Sequence, residues 1–257
     1  MAAMNPFLSA QAAAHYARGR PYYHPEVIER IRELLALREP VPLAVDVACG
    51  TGLSTLALSA IAQRVIGLDT SAQMLAQAPR HAAITYEIAP AEALPLSEAS
   101  VDIITVASAF HWLARVAFLA EVRRVLRPGG WLVIYDHNFM AEMEEEPAFA
   151  AYMREVYAGY PSPPRDRSPF TDEDAAAHGL RIASHIEYPD AHAFDLPSLV
   201  DYLLSQSNFT WAVDSGRITG DALRGWLSAS LSPCLAGREH GTFRFRGDIT
   251  CARRAPE

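Results

Sequence analysis

The chain has 257 residues, half of them apolar, a formal net charge of −8 and three cysteines. That is enough chain for one large domain with an apolar core. The acidic balance disfavours a phosphate backbone as partner, and an odd cysteine count without C-x-x-C spacing suggests neither a disulfide framework nor a zinc site.

In chain order, residues 6–18 read as a short helix, followed by Arg20-Pro21-Tyr22-Tyr23-His24-Pro25. The start lacks the charged residues and continuous apolar run of a signal peptide, and no stretch reaches the length of a membrane span. A cytoplasmic protein with no membrane partner is therefore expected. Pro25 can open a second helix carrying Val27, Ile28, Ile31, Leu34 and Leu35 at helical spacing. Pro40 and Pro42 lead into a short apolar run over 43–47 that ends in Ala48-Cys49-Gly50-Thr51-Gly52. A helical pattern with Leu53, Leu56, Ala57 and Ile61 follows. A second apolar run, 65–68, then ends at Asp69 and Thr70. Strand, glycine turn, helix, strand and acid make one βαβ unit with a nucleotide-binding pattern. Gly50 and Gly52 permit a tight turn and close approach of a ligand. The following helix offers free N–H groups, and Asp69 stands where it can accept from ribose hydroxyls. Cys49 reads as a small residue of the turn, with no neighbour in sequence to activate it.

Ser71 predicts an N-cap for a helix over 71–78 that carries Met74. Ile84–Ile88 is the third expected strand and 101–106 the fourth, nearly all apolar as a covered parallel strand requires. Between them lies Ala91-Glu92-Ala93-Leu94-Pro95. After the fourth strand come Ala107 and Ser108-Ala109-Phe110-His111-Trp112. A helix over 114–126 should end at Arg127-Pro128-Gly129-Gly130, a turn into a fifth strand over 131–135. Residues 138–179 read as an insertion, with an acidic helix start at 142–146, a Tyr-rich helix over 148–157 and a proline-rich link. Thr171 and Asp174 suggest a capping box. A sixth strand over 180–188, helices over 195–205 and 219–231, and a closing antiparallel strand over 242–251 complete the expected elements.

The pattern Asp46-x-Ala48-x-Gly50-x-Gly52, with Asp69 after it, resembles the D-x-G-x-G-x-G motif of class I S-adenosylmethionine (SAM) methyltransferases, with Ala48 in place of the first glycine. A dinucleotide site would want a third glycine where Thr55 stands, which disfavours an NAD-dependent oxidoreductase. The stretch Ala91–Pro95, the Arg127–Gly130 turn, Tyr16-x-x-x-Arg20-Pro21 and Ser108–Trp112 are similar to the trans-aconitate-methyltransferase-like branch, whose members act on small molecules. The resemblance implies an α/β fold, a Rossmann-like seven-stranded, mostly parallel sheet flanked by helices. It implies one domain with a core over about 41–137, 180–190 and 240–253, and a helical cap from about 1–40, 138–179 and 192–238. It also implies SAM as cofactor, S-adenosylhomocysteine as product, and a carboxylate, hydroxyl or carbon acceptor. The implied cofactor residues are Asp46, Ala48, Gly50, Thr51 and Gly52 in the turn, Asp69 and Thr70 at the ribose and Met74 at the adenine. Ala91 and Glu92 would lie near the adenine amino group, with Pro90 where the family often has an acid. Ala107 and Trp112 would line the pocket, and Tyr16 and Arg20 would close over the methionine moiety. His111 is the candidate base, with a pocket wall as its other reading, and no metal is expected. A SAM-binding module without catalysis would keep Gly50, Gly52 and Asp69 alone.

Overall fold

The computed structural model describes residues 9–256, so the start of the expected first helix lies outside the described residues. The elements, in order, begin with α1 (Ala10–Gly19), α2 (His24–Leu34), β1 (Val41–Val47), α3 (Leu53–Leu58) and β2 (Ala62–Asp69). Then come α4 (Ala72–Leu75), β3 (Ile84–Ile88), β4 (Val101–Ala107), α5 (Arg115–Val125) and β5 (Leu126–Met143). The chain continues with α6 (Phe149–Gly159), α7 (Asp172–Ala177), β6 (Leu180–Phe194) and α8 (Leu196–Leu204). It closes with α9 (Ser207–Asp214), α10 (Gly220–Leu231) and β7 (Gly241–Arg254). The seven strands form one sheet in the order β3-β2-β1-β4-β5-β7-β6, as the Rossmann-like expectation required. Pairings β2–β3, β1–β2, β1–β4 and β4–β5 are parallel, and helices α3, α4 and α5 make the crossovers from β1 to β2, β2 to β3 and β4 to β5.

The chain divides into two compact units. One, here the sheet unit, holds Tyr22–Asp136, Arg165–Glu187 and Asp248–Glu257. The other, the helical unit, holds, among the described residues, 9–21, His137–Pro164 and Tyr188–Gly247. Residues 22–40 and 165–179, expected in a cap, thus fall in the sheet unit. Each unit has its own apolar core. That of the sheet unit gathers Val45, Val47, Leu68, Ile104, Val106 and Leu132 from the strands with Phe118 and Val122 from α5. That of the helical unit gathers Phe149, Met153, Leu199, Leu203, Phe209, Leu227 and Phe243.

Several expected boundaries move for local reasons. The α3 helix stops before Ile61 because the Ser59 hydroxyl bonds Leu56 O at 2.6 Å and the chain turns into β2. The α4 helix is four residues rather than eight. Its Ser71 cap holds as expected, but Gln77 N and Ala78 N bond three residues back, to Met74 O and Leu75 O, ahead of Pro79. The expected helix start at 142–146 is instead the last two residues of β5 and a turn after them, where Glu144 N bonds Thr242 O of β7. The sixth strand runs past Tyr188 to Phe194, and α9, unforeseen, fills part of 205–219. Thr171 and Asp174 do form a capping box.

The turn expected at 127–130 is a bulge inside β5. Val101 pairs with Leu126 and Ile103 with Trp131, so residues 127–130 loop out opposite Asp102. Asp102 holds the loop. One of its oxygens accepts Leu43 N–H at 2.8 Å and the other pairs with Arg127 at 2.5 Å, on a side chain only 4% exposed. Replacing Asp102 by Ala should leave the Leu43 N–H without its acceptor and cost about 1–3 kcal/mol. Urea unfolding read at a single wavelength would check this, with a shifted midpoint and an unchanged slope as the expected result.

Candidate functional site

The site is built at the carboxyl ends of β1, β2, β4 and β5 in the sheet unit, where open α/β sheets bind their ligands. Asp46, fully buried on β1, sets the turn that follows. Its carboxylate accepts hydroxyls from Ser54 at 2.6 Å, Thr55 at 2.7 Å and Thr105 at 2.8 Å. Burial raises its pKa, and these three bonds work against that rise. Asp46 therefore lies beneath the turn and touches α3 and β4. Thr55, where a dinucleotide site would carry its third glycine, is one of its donors.

Above it, Ala48, Gly50 and Gly52 all have positive φ, at 55°, 56° and 74°. Gly52 N bonds Cys49 O, and Leu56 N bonds Gly52 O as α3 opens. A Cβ on Gly52 would lie 2.7 Å from the Tyr86 phenol oxygen. Asp69, at the end of β2, grips both sides of the turn. One oxygen accepts Gly50 N–H and the other Ser71 N–H, each at 2.8 Å. Burial raises its pKa, and the backbone donors offset part of the rise. A carboxylate offers about four acceptor sites, and the backbone N–H groups of Gly50, Thr70 and Ser71 do not use them all. The Thr51 hydroxyl is buried and has no hydrogen-bond partner among the described residues. Two glycines that open the turn, a buried Thr51 hydroxyl and the remaining acceptor capacity of Asp69 fit a polar nucleoside. Met74 is buried, with its methyl 3.4 Å from where a Cβ on Gly50 would stand. Burial raises the Cys49 thiol well above its usual range, which makes it a poor nucleophile at neutral pH.

Farther along, Ala91 is buried and the Glu92 carboxylate accepts Ala114 N–H at 3.0 Å, ahead of α5. Glu92 is thus engaged at a helix N-terminus. His111 and Trp112 lie on a single 3-10 turn after β4, with ring centroids 5.1 Å apart. Arg165 lies 5.3 Å over the Trp112 ring, and its Nη1 is 3.4 Å from His111 Nε2. A guanidinium only donates, so Nε2 accepts and a neutral ring carries its proton on Nδ1. Asp166 N bonds His111 O, and Arg115 bonds Ser168 O and Asp166 O, which fastens residues 165–168 to this turn.

Three further groups went unread in the sequence. His24 Nδ1 and the Tyr135 hydroxyl are 3.0 Å apart in a buried pair. The Tyr23 hydroxyl and Ser108 Oγ are 3.4 Å apart. Asp136, where β5 leaves the sheet unit, has its carboxyl pushed up to about 6 by burial and by Asp248, against the pull of Arg165, Ser108 and Arg115. An isolated carboxylate after a strand carries no sequence signal for such a shift. Tyr16 and Arg20 belong to the helical unit, where the Arg20 guanidinium lies 4.8 Å over the Tyr16 ring and donates to Ser205 O at 3.2 Å.

Residues 45–134 match the family model described as a methyltransferase domain. The chain is 33% identical over 168 residues to an uncharacterised methyltransferase of Mycobacterium tuberculosis strain H37Rv, covering 62% of this chain and 64% of that one. It is 42% identical over 89 residues to a ubiquinone/menaquinone biosynthesis C-methyltransferase of Rubrivivax gelatinosus, covering 34% of this chain and 36% of that one. A solved structure from Anaeromyxobacter dehalogenans, described as a candidate type II methyltransferase, superposes with a TM-score of 0.68 at 25% identity, over 90% of this chain and 97% of that one. The chain spans 53% to 64% of the length of the first curated relatives it matches.

Two outcomes follow from this geometry. Gly52→Ala forces a Cβ into the left-handed region and against Tyr86. It should cost about 1–2 kcal/mol of stability and abolish nucleoside binding, checked by thermal unfolding with and without ligand. Asp136 has a raised folded pKa, so its stabilising contribution is full below the ordinary carboxyl pKa and is lost as pH rises through about 6. Asp136→Asn should therefore raise stability by about 1–3 kcal/mol near pH 7 and leave it unchanged near pH 3, as denaturant titrations at the two pH values would read.

Proposed function

We propose that this chain, whose residues 45–134 match a methyltransferase-domain model, binds SAM as its cofactor and transfers the SAM methyl group to a small organic acceptor bearing a carboxylate, hydroxyl or carbon nucleophile. The observation that carries this is the glycine turn gripped by Asp69, through Gly50 N–H and Ser71 N–H. When bound, SAM supplies a methyl carbon on a positively charged sulfur. The nucleophile attacks that carbon, the carbon–sulfur bond breaks with its electron pair going to sulfur, and S-adenosylhomocysteine remains. In this reading Asp69 accepts from the ribose hydroxyls, the turn with Thr51 binds beside the glycines, and Asp46 acts by holding the turn. Thr70, Met74 and Ala91 stand about the nucleoside, and Ala107 and Trp112 border the methyl.

The protein's work is alignment and exclusion of water rather than covalent chemistry. A carboxylate acceptor needs no base, whereas a phenol or carbon acid does. In this reading His111 is that base, and its Nε2 leaves the Arg165 guanidinium to take the proton. The quinone-pathway C-methyltransferase among the relatives supports an acceptor of small-molecule size.

Calorimetric titration with S-adenosylhomocysteine, with NADH as the comparison, tests the cofactor site. The former alone should bind, and Asp69→Ala should weaken it by about 1.5–3 kcal/mol; unchanged affinity in a folded variant would remove the ribose assignment. Because burial raises the Asp69 carboxyl, affinity should fall on mild acidification, before an ordinary aspartate would protonate. His111→Ala should lower turnover of a phenolic or carbon acceptor by roughly 100-fold or more and leave S-adenosylhomocysteine affinity unchanged. An equal loss in both readings would make His111 part of the binding wall.

A further inference from the structure

The helical unit carries a cluster of titratable side chains that the methyl-transfer chemistry does not use. His137 projects from β5, while Asp190 and His192 project from β6, with β7 between the two strands. Burial alternates strictly along β6, so Asp190 and His192, two residues apart, share its inner face with Tyr188 and Phe194. An inner face is expected to be apolar, and here two adjacent inward positions are polar. They converge on His137, whose side chain is 1% exposed.

His137 Nε2 lies 2.8 Å and His192 Nε2 3.2 Å from the same oxygen, Asp190 Oδ2, and the three donor atoms all fall within 4.8 Å of one another. His192 Nε2 is buried and makes no hydrogen bond among the described residues, despite that proximity. The other carboxylate oxygen accepts Ala191 N–H at 2.8 Å, which orients Oδ2 toward the imidazoles. Phe245 of β7 walls the cluster, stacked on His137 at 4.7 Å and edge-on to His192 at 5.0 Å.

We propose that His137, Asp190 and His192 form a binding site for a divalent transition-metal ion. Donor atoms on a tetrahedral zinc ion, at about 2.0–2.1 Å each, stand roughly 3.3 Å apart. The separations here bracket that value, so small side-chain rotations suffice. Two imidazoles and one carboxylate favour ions such as Zn²⁺, Fe²⁺ or Co²⁺; Mg²⁺ and Ca²⁺ prefer all-oxygen sets. Three protein donors leave at least one coordination position open to water or to an oxygen donor on a small ligand. The residues come from two strands separated by some fifty positions in sequence, which is why no spacing motif announces them. The proposal is independent of the methyl-transfer reading.

The full chain, treated with a chelator and dialysed, is titrated with Zn²⁺ by calorimetry and with Co²⁺ by visible absorption. One equivalent should bind, and Co²⁺ should develop d–d bands of a nitrogen and oxygen site. His192→Ala and Asp190→Asn, at partly exposed positions, should each weaken Zn²⁺ by more than the roughly 10–100-fold that loss of an outer partner costs. His185→Ala, at an exposed position of the same strand, should change nothing. Mg²⁺ should not compete. No Co²⁺ bands in the folded parent chain, or equal Zn²⁺ affinity in the parent and both site variants, would overturn the assignment and leave the trio as an ion-free polar contact.

Discussion

One buried carboxylate organises the sheet unit. Asp46 leaves β1 with no exposed surface and is held by three hydroxyls, two from α3 and one from β4. A carboxylate without such donors would be costly to bury, because desolvation penalises the charged form. With them, the acid ties a strand to the helix that follows it and to the neighbouring strand. The chain between these points has little freedom left. Ala48 takes a left-handed conformation, at φ 55°, that alanine disfavours by about 1–2 kcal/mol. The surrounding bonds maintain it.

The second acid works from the opposite side. Asp69 accepts the Gly50 and Ser71 backbone N–H groups, one on each of its oxygens, and so ties the glycine turn to the start of α4. Together the two acids set a turn that differs from a dinucleotide turn. A dinucleotide turn uses its third glycine to let the helix approach the sheet. Here that position is Thr55, and its hydroxyl serves the buried acid. The site's wall rests on a different device, the arginines Arg115 and Arg165, which fasten residues 165–168 to the turn bearing His111 and Trp112.

The helical unit obeys a separate logic. Its core is aromatic, and Phe139, Phe194, Tyr202, Phe243 and Phe245 meet in offset and edge-on pairs. Against this apolar packing the His137, Asp190 and His192 group stands out as a polar feature that side chains of two strands have to build together.

The sequence alone determined the βαβ unit. Strand, glycine turn, helix and acid follow one another within thirty residues, and each local choice agrees with the next. Ile84–Ile88, the Ser71 cap and the Thr171 capping box were equally local and equally legible. What tertiary structure decided was everything whose cause lies far along the chain. The length of β5 depends on a backbone partner in β7, and the bulge at 127–130 depends on Asp102. That Glu92 accepts the Ala114 N–H ahead of α5 is a contact across more than twenty residues. The raised carboxyl of Asp136 needs Asp248 beside it, and the histidine–aspartate group needs β5 and β6 brought to a common wall. Periodicity and turn chemistry record the forces between neighbours in sequence; desolvation and charge coupling arise only when distant segments share one interior.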